Sequence, residues 1–399
     1  MSTRHGVPPS SASARAARPS ALRSAQAAAL RPDVIPLSLG LPAAELFPRG
    51  ALSAAARRVL AEDPTALQYA APFEPLKTHV VALMAARGVV CRESQVLLTN
   101  GAQQANELLV RLFLPAGGQA LVEAATYDCF LTSLRAAAGR PVPVPTDLAT
   151  GMDVERVEAM LRAGARPAFV YAIPDGHNPH GVSLSPEKRA HLAALAARHG
   201  VPVIEDDVYG FLSYDAPAPP PLRALDDEWV VTISSFSKLL APGLRVGWIV
   251  ASEALVARLA ILKQANDLDI GTFAQRIVSA FLDTGELRAH LAALRGEYRA
   301  RRDAMERALR AHFPAEARFR VPAAGFYFWV ELPARIDAGA LLSTAIERER
   351  VAFIPGSALA AGDGAPFASS LRLCFSACSP ERIETGVARL GRLVKEALR

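Results

Sequence analysis

The sequence predicts an α/β protein with a large, mainly parallel sheet flanked by helices, followed by a smaller α+β region. Short β-branched runs alternate with helical stretches as far as about residue 285, which is the pattern of βαβ units. Beyond that point the pattern changes to alternating strands with fewer helices between them. The 399 residues, 51% of them hydrophobic and 21% charged, are enough to bury more than one core.

Two periodicities predict the elements of the first region. Helices are expected where apolar residues recur every three or four positions, and strands where short apolar runs end at turn residues such as Asn100-Gly101. The expected helices cover residues 51–62, 75–87, 103–113, 127–138, 154–163, 186–199 and 254–264. The expected strands cover residues 96–99, 120–123, 142–145, 167–172, 202–205, 230–234 and 246–250. A long helical region over residues 274–312 is expected to break near Thr284-Gly285.

The second region follows the same rules. Alternation predicts strands over residues 326–332, 351–354 and 371–375, with a helix over residues 338–348 and a closing helix over residues 380–398. At the other end of the chain, the first 19 residues are rich in Ser, Ala, Arg and Pro and have no apolar stripe. That composition predicts a disordered tail over residues 1–19.

The net charge of +5 originates in the N-terminal segment. No acidic residue precedes Asp33, and five arginines do: Arg4, Arg15, Arg18, Arg23 and Arg31. The rest of the chain is neutral, so no nucleic-acid-binding groove is expected. An acid-free start rich in Arg and Ser is also typical of an organelle transit peptide, although the same Ala-Arg composition persists along the chain and favours a solvated tail.

Hydropathy and cysteine usage predict a protein of the reducing cytoplasm. No apolar run approaches the ~18 residues that a membrane helix needs. The four cysteines are too few for a disulfide scaffold. They form no CxxC pair and lie beside no histidine pair at zinc-ligand spacing, so no metal is expected.

The strongest chemical signal surrounds Lys238, which follows a predicted strand among small hydroxyl side chains. Ser235 and Ser237 lie just before it, and Arg245 follows seven residues later, with glycines where the chain must turn. This arrangement suits an aldehyde cofactor that carries a phosphate. The lysine amine condenses with the aldehyde, while the hydroxyls and the guanidinium hold the phosphate dianion.

The string from Ser234 to Trp248 resembles fold-type I pyridoxal-phosphate enzymes, above all the class I/II aminotransferases of the kynurenine/α-aminoadipate aminotransferase group. The resemblance runs from about Ser20 to the C-terminus. It implies pyridoxal 5'-phosphate as cofactor, transfer of an amino group from an L-amino acid to a 2-oxo acid, and a homodimer with shared active sites. It also implies a seven-stranded sheet in a large cofactor-binding domain over residues 51–285, a small C-terminal domain over residues 286–399, and an N-terminal segment over residues 20–50 that packs on the small domain.

The resemblance also implies a role for each matching residue. Lys238 binds the cofactor covalently, Asp206 pairs with its ring nitrogen, and Tyr127 stacks on its ring. The other implied site residues are Asn178 and Tyr209 at the ring hydroxyl, Ala102, Gln103, Ser235, Ser237 and Arg245 at the phosphate, Tyr69 reaching the partner subunit's phosphate, and Arg372, Gly40 and Asn178 at the substrate.

The position of Asp206 is informative without any resemblance. Asp206 ends an apolar strand three residues before Tyr209, so both can face the carboxyl edge of the sheet, where open α/β sheets bind ligands. An acid at that edge keeps a pyridine nitrogen protonated. The spacing to Tyr209 favours Asp206 over Asp207 for this role. Glu205 and Asp207 are expected to be solvated charges at the strand end.

Arg372 is a charge inside an apolar strand. A buried guanidinium needs an anionic partner, and we expect the substrate α-carboxylate to be that partner rather than a structural carboxylate such as Glu331. Phe73 and Phe326 are expected to make the neighbouring substrate pocket apolar. The amine of Lys238 has to be neutral to act as a base, which requires burial to lower its pKa.

Alternatives to an aminotransferase remain open. The related enzymes commonly have Asn-Pro-Thr-Gly where this chain has Asn178-Pro179-His180-Gly181, preceded by His177. Neutral imidazoles near the cofactor can move protons, so the alternative is a specialised pyridoxal-phosphate enzyme: a cyclase, replacement enzyme, decarboxylase or amino-acid oxidase. A DNA-binding regulator is disfavoured because the first 30 or so residues are rich in Ala, Ser and Pro. An inactive relative is disfavoured because every cofactor position carries a competent residue type.

Overall fold

The computed structural model describes residue 27 and residues 31–399. The expected disordered tail over residues 1–19 lies outside the described residues, as does nearly all of the segment over residues 20–30. The described helices are α1 (Arg49–Glu62), α2 (Glu74–Ala86), α3 (Gly101–Phe113), α4 (Asp128–Ala136), α5 (Val154–Arg162), α6 (Pro186–His199), α7 (Glu253–Asp267), α8 (Thr272–Leu282), α9 (Leu287–His312), α10 (Ala338–Glu347) and α11 (Pro380–Ala397). None of them is long and apolar enough to cross a membrane.

Seven strands form a large sheet in the order β2-β10-β9-β8-β7-β3-β4. The described strands are β1 (Ile35–Pro36), β2 (Val96–Thr99), β3 (Gln119–Glu123), β4 (Arg140–Val144), β5 (Thr146–Asp147), β6 (Gly151–Met152), β7 (Phe169–Ala172), β8 (Val203–Asp206), β9 (Val230–Ser235), β10 (Gly247–Val250), β11 (Arg318–Phe319), β12 (Tyr327–Glu331), β13 (Val351–Ala352), β14 (Ile354–Pro355) and β15 (Ser370–Cys374). Within the large sheet, β10 is antiparallel to both its neighbours and all other pairs are parallel. The expected seven-stranded, mainly parallel sheet is confirmed.

Helices cover both faces of the large sheet, as a parallel sheet requires. Strands β7 to β10 are buried at every position, including the two acids that end β8 and the hydroxyl residues of β9. On one face, Leu108 of α3, Phe130 of α4 and Leu259 of α7 join one apolar cluster. On the other face, Val157 of α5 and Leu192 of α6 join a second cluster.

A smaller antiparallel sheet, in the order β11-β12-β15-β14, follows the long helix α9. Helix α11 packs along α9. The segment that precedes α1 also lies against this region. Its strand β1 pairs in parallel with β13, and the carbonyl of Leu37 accepts a hydrogen bond of 2.8 Å from the amide of Cys374.

Two expectations, one at the boundary of the two regions and one within the second region, had different outcomes. The helix break is confirmed, because α8 ends at Leu282 and α9 begins at Leu287, with Gly285 between them at φ +74°. The single strand expected over residues 351–354 is wrong. The chain forms two short strands there, β13 against β1 and β14 against β15, and changes sheets at Phe353.

The carboxyl edge of the large sheet collects the ends of several strands. Strand β8 ends at Asp206 and β9 at Ser235, while the antiparallel β10 begins at this edge with Gly247. Gly247 pairs with Ser235 on one side and Thr99 on the other, immediately before α3. The same edge therefore presents an acid, hydroxyls and the start of a helix.

Candidate active site

A cavity of about 290 Å³ opens at this carboxyl edge. Twelve of the thirteen expected site residues line it: Gly40, Ala102, Gln103, Tyr127, Asn178, Asp206, Tyr209, Ser235, Ser237, Lys238, Arg245 and Arg372. Tyr69 does not line it; that side chain is exposed, at 87% of its surface. The fold thus brings together residues that are scattered over more than 300 positions of sequence.

Lys238 follows the end of β9 and contributes its amine to the cavity. Its Nζ donates a hydrogen bond of 2.8 Å to the carbonyl of Gly40. Burial is the main reason that the pKa of Lys238 falls to about 8, and the Arg372 guanidinium lowers it further. Near pH 8 a large fraction of the amine is therefore neutral, the form that attacks an aldehyde or accepts a proton.

Asp206, at the end of β8, has one occupied and one free carboxylate oxygen. Its Oδ2 accepts hydrogen bonds from Tyr171 Oη at 2.7 Å and from Asn106 Nδ2 at 3.0 Å. Its Oδ1 is buried and has no hydrogen-bond partner among the described residues. Burial raises the pKa of Asp206, and the two hydrogen bonds oppose that rise. The carboxylate is thus held rigidly while one oxygen stays available to a donor in the cavity.

The neighbouring acids Glu205 and Asp207 are buried, so the expectation that they are solvated is wrong. Glu205 accepts hydrogen bonds from Thr232 Oγ1 at 2.6 Å and from the amide of Leu222 at 2.5 Å. Asp207 pairs with the Arg87 guanidinium at 3.1 Å. Polar and cationic partners from distant segments compensate both carboxylates, and such partners cannot be inferred from the local sequence.

The start of α3 forms an anion cradle beside Arg245. The first N–H groups of a helix have no partner within the helix, and the helix dipole favours negative charge there. Gly101, at φ +73°, lets the guanidinium approach, because a Cβ at that position would lie 2.7 Å from Arg245 Nη2. Arg245 Nη2 donates to the carbonyl of Asn100 at 2.8 Å. Across the cradle, the hydroxyls of Ser235 and Ser237 lie 2.9 Å apart.

Tyr327 joins the site although the sequence did not single it out. Its hydroxyl lies 3.1 Å from the hydroxyl of Tyr209. It also lies against Gly40, where a Cβ would be 1.9 Å from the Tyr327 hydroxyl, so only glycine fits the loop at that point. Burial raises the pKa of Tyr327 to about 12, and both phenols stay protonated at neutral pH.

Arg372 forms no ion pair within the described part of the chain. Its Nη1 donates to Asn178 Oδ1 at 2.6 Å and its Nη2 to the carbonyl of Ser38 at 2.6 Å. Its Nε is buried and has no hydrogen-bond partner within residues 31–399, and its guanidinium carbon lies 4.5 Å from the centre of the Tyr327 ring. The alternative partner Glu331 lies opposite Ser370 in the strand register, whereas Arg372 lies opposite Trp329. A buried cation without a counter-charge in a cavity suits an anionic ligand.

The remaining predicted residues lie at the cavity wall. Tyr127 immediately precedes α4, and burial raises its pKa well above the usual value. Gln103 donates to Ser133 Oγ at 2.9 Å, while its Oε1 is buried and finds no partner in the part of the chain that the structure describes. Phe73 and Phe326, expected in the substrate pocket, do not line the cavity. Phe73 packs under the Arg276 guanidinium and Phe326 against Tyr209 in the core.

The histidines on either side of Asn178 are buried and do not line the cavity. His177 Nε2 lies 2.5 Å from Glu123 Oε2. His180 packs edge-on against Trp329, with ring centres 4.9 Å apart, and burial lowers its pKa well below the usual value. Glu123 completes a buried cluster that sequence spacing could not reveal, because it lies on β3, far from the histidines in the chain.

These observations test whether an aldehyde cofactor with a phosphate and a pyridine ring fits the cavity. The partially neutral amine of Lys238 matches the aldehyde. The free Oδ1 of Asp206 matches a protonated ring nitrogen, and the cradle of α3 and Arg245 matches a dianion. The residues present fit all three parts of such a group.

Comparisons with known proteins agree with this chemistry. A family profile described as aminotransferase class I and II matches residues 32–390. The chain is 34% identical to aromatic-amino-acid aminotransferase 1 of Thermococcus litoralis over 376 residues, covering 92% of this chain and 89% of that protein. It is 36% identical to the 2-aminoadipate transaminase of Thermus thermophilus over 375 residues, covering 92% of each. It is also similar to the crystal structure of the kynurenine aminotransferase of Pyrococcus horikoshii in complex with PMP, with a TM-score of 0.92, 32% identity and coverage of 98% of both chains.

Proposed function

The chain belongs to the class I and II aminotransferases and uses pyridoxal phosphate to move an amino group from an amino acid to a 2-oxo acid; we propose that its preferred amino donors have large, uncharged side chains. We also propose the residue roles, the dimer and the cellular compartment described below.

Pyridoxal phosphate, when bound, supplies an electron-withdrawing ring that stabilises negative charge at the substrate Cα. Lys238 would hold the cofactor covalently, and its neutral amine would remove and return a proton at the substrate Cα. Its pKa of about 8 supports this role as a base. Asp206 would keep the ring nitrogen protonated, and Tyr209 and Asn178 would donate hydrogen bonds to the ring oxygen.

The other residues bind and orient. Ala102 and Gln103 at the start of α3, together with Ser235, Ser237 and Arg245, would hold the phosphate, and Tyr127 would pack against the ring. Arg372 binds the substrate α-carboxylate, and Gly40 leaves room for the substrate beside Tyr327. The lack of a counter-charge for Arg372 in the described residues supports its role.

The number of basic residues in the cavity is the reason for proposing amino donors with uncharged side chains. The basic residues that line it, within the described part of the chain, are Lys238, Arg245 and Arg372. Each already has a role toward the cofactor or the α-carboxylate, so a side-chain carboxylate finds no further counter-charge there. Leu39, Leu41 and other apolar residues line the remainder. Of the two curated relatives, the one named for aromatic amino acids fits this lining better than the one named for 2-aminoadipate.

A substrate panel tests this proposal. The half-reaction would be followed by cofactor absorbance with phenylalanine, tyrosine, leucine and kynurenine, and with glutamate and 2-aminoadipate as acidic counterparts. We expect kcat/KM to be at least about tenfold higher for the uncharged donors, since an unpaired carboxylate placed in an apolar site costs more than about 1.4 kcal/mol. A preference for 2-aminoadipate or glutamate would contradict the proposal.

We propose that the active unit is a homodimer in which Tyr69 of one chain contacts the cofactor phosphate in the other. Exposed apolar side chains support this arrangement: Leu41, Leu67, Tyr69 and Leu268 are 49%, 76%, 87% and 66% exposed in the single chain. Exposure of large apolar side chains is unfavourable in water, and a partner subunit that covers them would remove that cost. Leu41 also lines the cavity, so a partner covering it would complete the site.

Compartment and domain division are further proposals. Cys91, Cys129, Cys374 and Cys378 are free thiols, which supports a reducing cytoplasm. The separate sheets, with the helix break at Gly285 between them, support a large domain over residues 51–285 and a small domain over residues 286–399. The pairing of β1 with β13 supports a segment over residues 20–50 that packs on the small domain.

A further inference from the structure

The turn over residues 174–184 carries Asn178 between the two sheets. The amide of Leu184 donates to the carbonyl of Pro174 at 2.8 Å, and the amide of His177 donates to the carbonyl of Val182 at 2.8 Å. At Gly176, a Cβ would lie 2.6 Å from the backbone of Gly325, so the turn rests directly on the loop that precedes β12. The turn is therefore tightly closed and tightly packed.

Adjacent side chains of this turn reach in different directions. His177 Nε2 contacts Glu123 Oε2 on β3 of the large sheet at 2.5 Å, a close polar contact that is not aligned as a straight hydrogen bond. Asn178 Oδ1 accepts from Arg372 Nη1 on β15 of the small sheet at 2.6 Å. Glu123 is itself held, because its Oε1 accepts a hydrogen bond of 2.9 Å from Thr146. His177 thus ties the turn to the large sheet one residue before Asn178 meets Arg372.

His180 supports the same geometry by packing. Its ring lies nearly parallel to that of His177, with centres 4.9 Å apart and planes inclined by 17°, and its other neighbour is Trp329 of β12. Because burial keeps His180 neutral, it adds no charge beside the His177–Glu123 contact. The two histidines fill the space between the turn and both sheets.

We infer that His177 and Glu123 form a positioning pair that fixes Asn178 against Arg372 and thereby sets how tightly the substrate α-carboxylate binds. Neither residue lines the cavity, so the pair acts through Asn178 and not on the substrate itself. The inference rests on the proposed role of Arg372 as the carboxylate-binding residue. Two further residues, His177 and Glu123, which are distant from each other in sequence, would then help to determine substrate affinity.

The same cluster offers metal-ligating atoms, which an experiment has to distinguish from a positioning pair. Possible ligand atoms of Glu123, His177 and His180 lie within 4.8 Å of one another. However, two ligands of one tetrahedral zinc ion, each about 2.0–2.1 Å from it, are about 3.3 Å apart. The 2.5 Å between His177 and Glu123 leaves no room for an ion between them. The geometry therefore favours direct pairing.

Steady-state kinetics of His177→Ala, alone and combined with Asn178→Ala, test the inference. With His177→Ala we expect KM for the amino donor to rise roughly tenfold or more, since a small displacement of a positioning group is costly, while kcat changes less. His177→Gln should restore most of the affinity, because the glutamine amide is a polar group of similar reach that can contact Glu123. In the Asn178→Ala background, His177→Ala should raise KM no further, whereas a merely structural role would add its effect there.

Controls separate the possible failures. His191→Ala removes a similar histidine–glutamate pair on α6, 3.1 Å from Glu158 and away from the cavity, and should leave KM unchanged. If Arg372→Gln leaves KM unchanged, the proposed carboxylate site is wrong. If Arg372→Gln raises KM but His177→Ala does not, the positioning pair is wrong. The pair is also wrong if the effects of His177→Ala and Asn178→Ala on KM add fully in the variant that carries both. A zinc site would also overturn the inference of a positioning pair. Its sign would be one equivalent of zinc that the wild type retains after metal loading and desalting and that His180→Ala does not.

Discussion

Exchanging the carboxylates of Asp206 and Asp207 for amides, one at a time, should give opposite effects on activity and stability. In Asp206→Asn the side chain keeps an oxygen that accepts from Tyr171 and Asn106, but the ring nitrogen of the cofactor loses its anionic partner. A hydrogen bond between charged groups is worth about 1.5–3 kcal/mol, so turnover should fall by at least about 10- to 150-fold. The fall in turnover should be larger still, because the unprotonated ring is a weaker electron sink.

The stability of the cofactor-free Asp206→Asn protein should not fall. The pKa of Asp206 is raised in the folded chain, so its contribution to stability is present below the unfolded pKa of about 3.9 and is lost as pH rises through the folded pKa. At pH 8 the charged form therefore opposes folding, and the amide should be at least as stable as the wild type. The difference should shrink toward pH 4.

Asp207→Asn should behave in the opposite way. Arg87, which is buried, lies 3.1 Å from Asp207 and 3.0 Å from Asp175, so the substitution removes one of its two carboxylates. Burial raises the pKa of Asp207 as well, but the Asp207 charge also balances that of the buried Arg87 guanidinium, so we expect a loss of about 1–3 kcal/mol in the free energy of unfolding and less than a tenfold change in turnover. Single-turnover absorbance with an amino donor and urea unfolding of the cofactor-free proteins measure the two quantities. If Asp207→Asn lost more turnover than Asp206→Asn, the assignment of Asp206 to the ring nitrogen would be refuted.

Three further predictions concern the other parts of the site. Because burial lowers the pKa of Lys238 to about 8, the rate of covalent cofactor uptake should rise with pH up to about 8 and then level off; a rate that is constant from pH 6 to pH 10 in rapid mixing would argue against a titrating lysine. Arg372→Lys should raise KM for the amino donor by about 10- to 100-fold in steady-state assays, because an ammonium cannot bind a carboxylate in two parallel hydrogen bonds, and an unchanged KM would remove Arg372 from the carboxylate site. Mixing Lys238→Ala chains with Tyr69→Phe chains should restore up to about a quarter of wild-type activity, since half of the dimers are then mixed and each has one intact site; no recovery with confirmed exchange of subunits would refute the shared site.

The sequence predicted the elements that are long and strongly patterned. Strand β2 and helix α6 have the expected bounds, because a buried apolar run and a helical repeat were each closed by turn residues. Two-residue strands such as β1 and β13 have no periodicity of their own. They exist because segments far apart in the chain meet, which no local pattern contains.

A cavity residue could be predicted from the sequence where its neighbours in the chain mark it as unusual. Lys238, Arg245 and Asp206 stand in a recognisable string or at a strand end. The supporting residues were not predictable, because each comes from another element. Asn106 on α3 and Tyr171 on β7 hold Asp206, and both look like ordinary helix and core residues in the sequence.

The wrong expectation about Glu205 and Asp207 has the same cause. Three consecutive acids after an apolar run are typical of a solvated strand end. Here the partners of the two outer acids are buried: Arg87 comes from the end of α2, and Thr232 comes from β9. A buried charge is tolerated only where such partners exist, and their presence is a property of the fold rather than of the segment.

Mapping the covalently modified lysine tests the central claim most directly. The chain has five lysines, of which Lys238 lines the cavity and Lys263 is a buried control that pairs with Asp267 at 2.8 Å. The protein loaded with pyridoxal phosphate would be reduced with borohydride, digested and analysed by mass spectrometry. We predict the cofactor mass on Lys238 alone, at one per chain. Modification of Lys263 or another lysine in its place, or no retained cofactor after loading, would contradict the account.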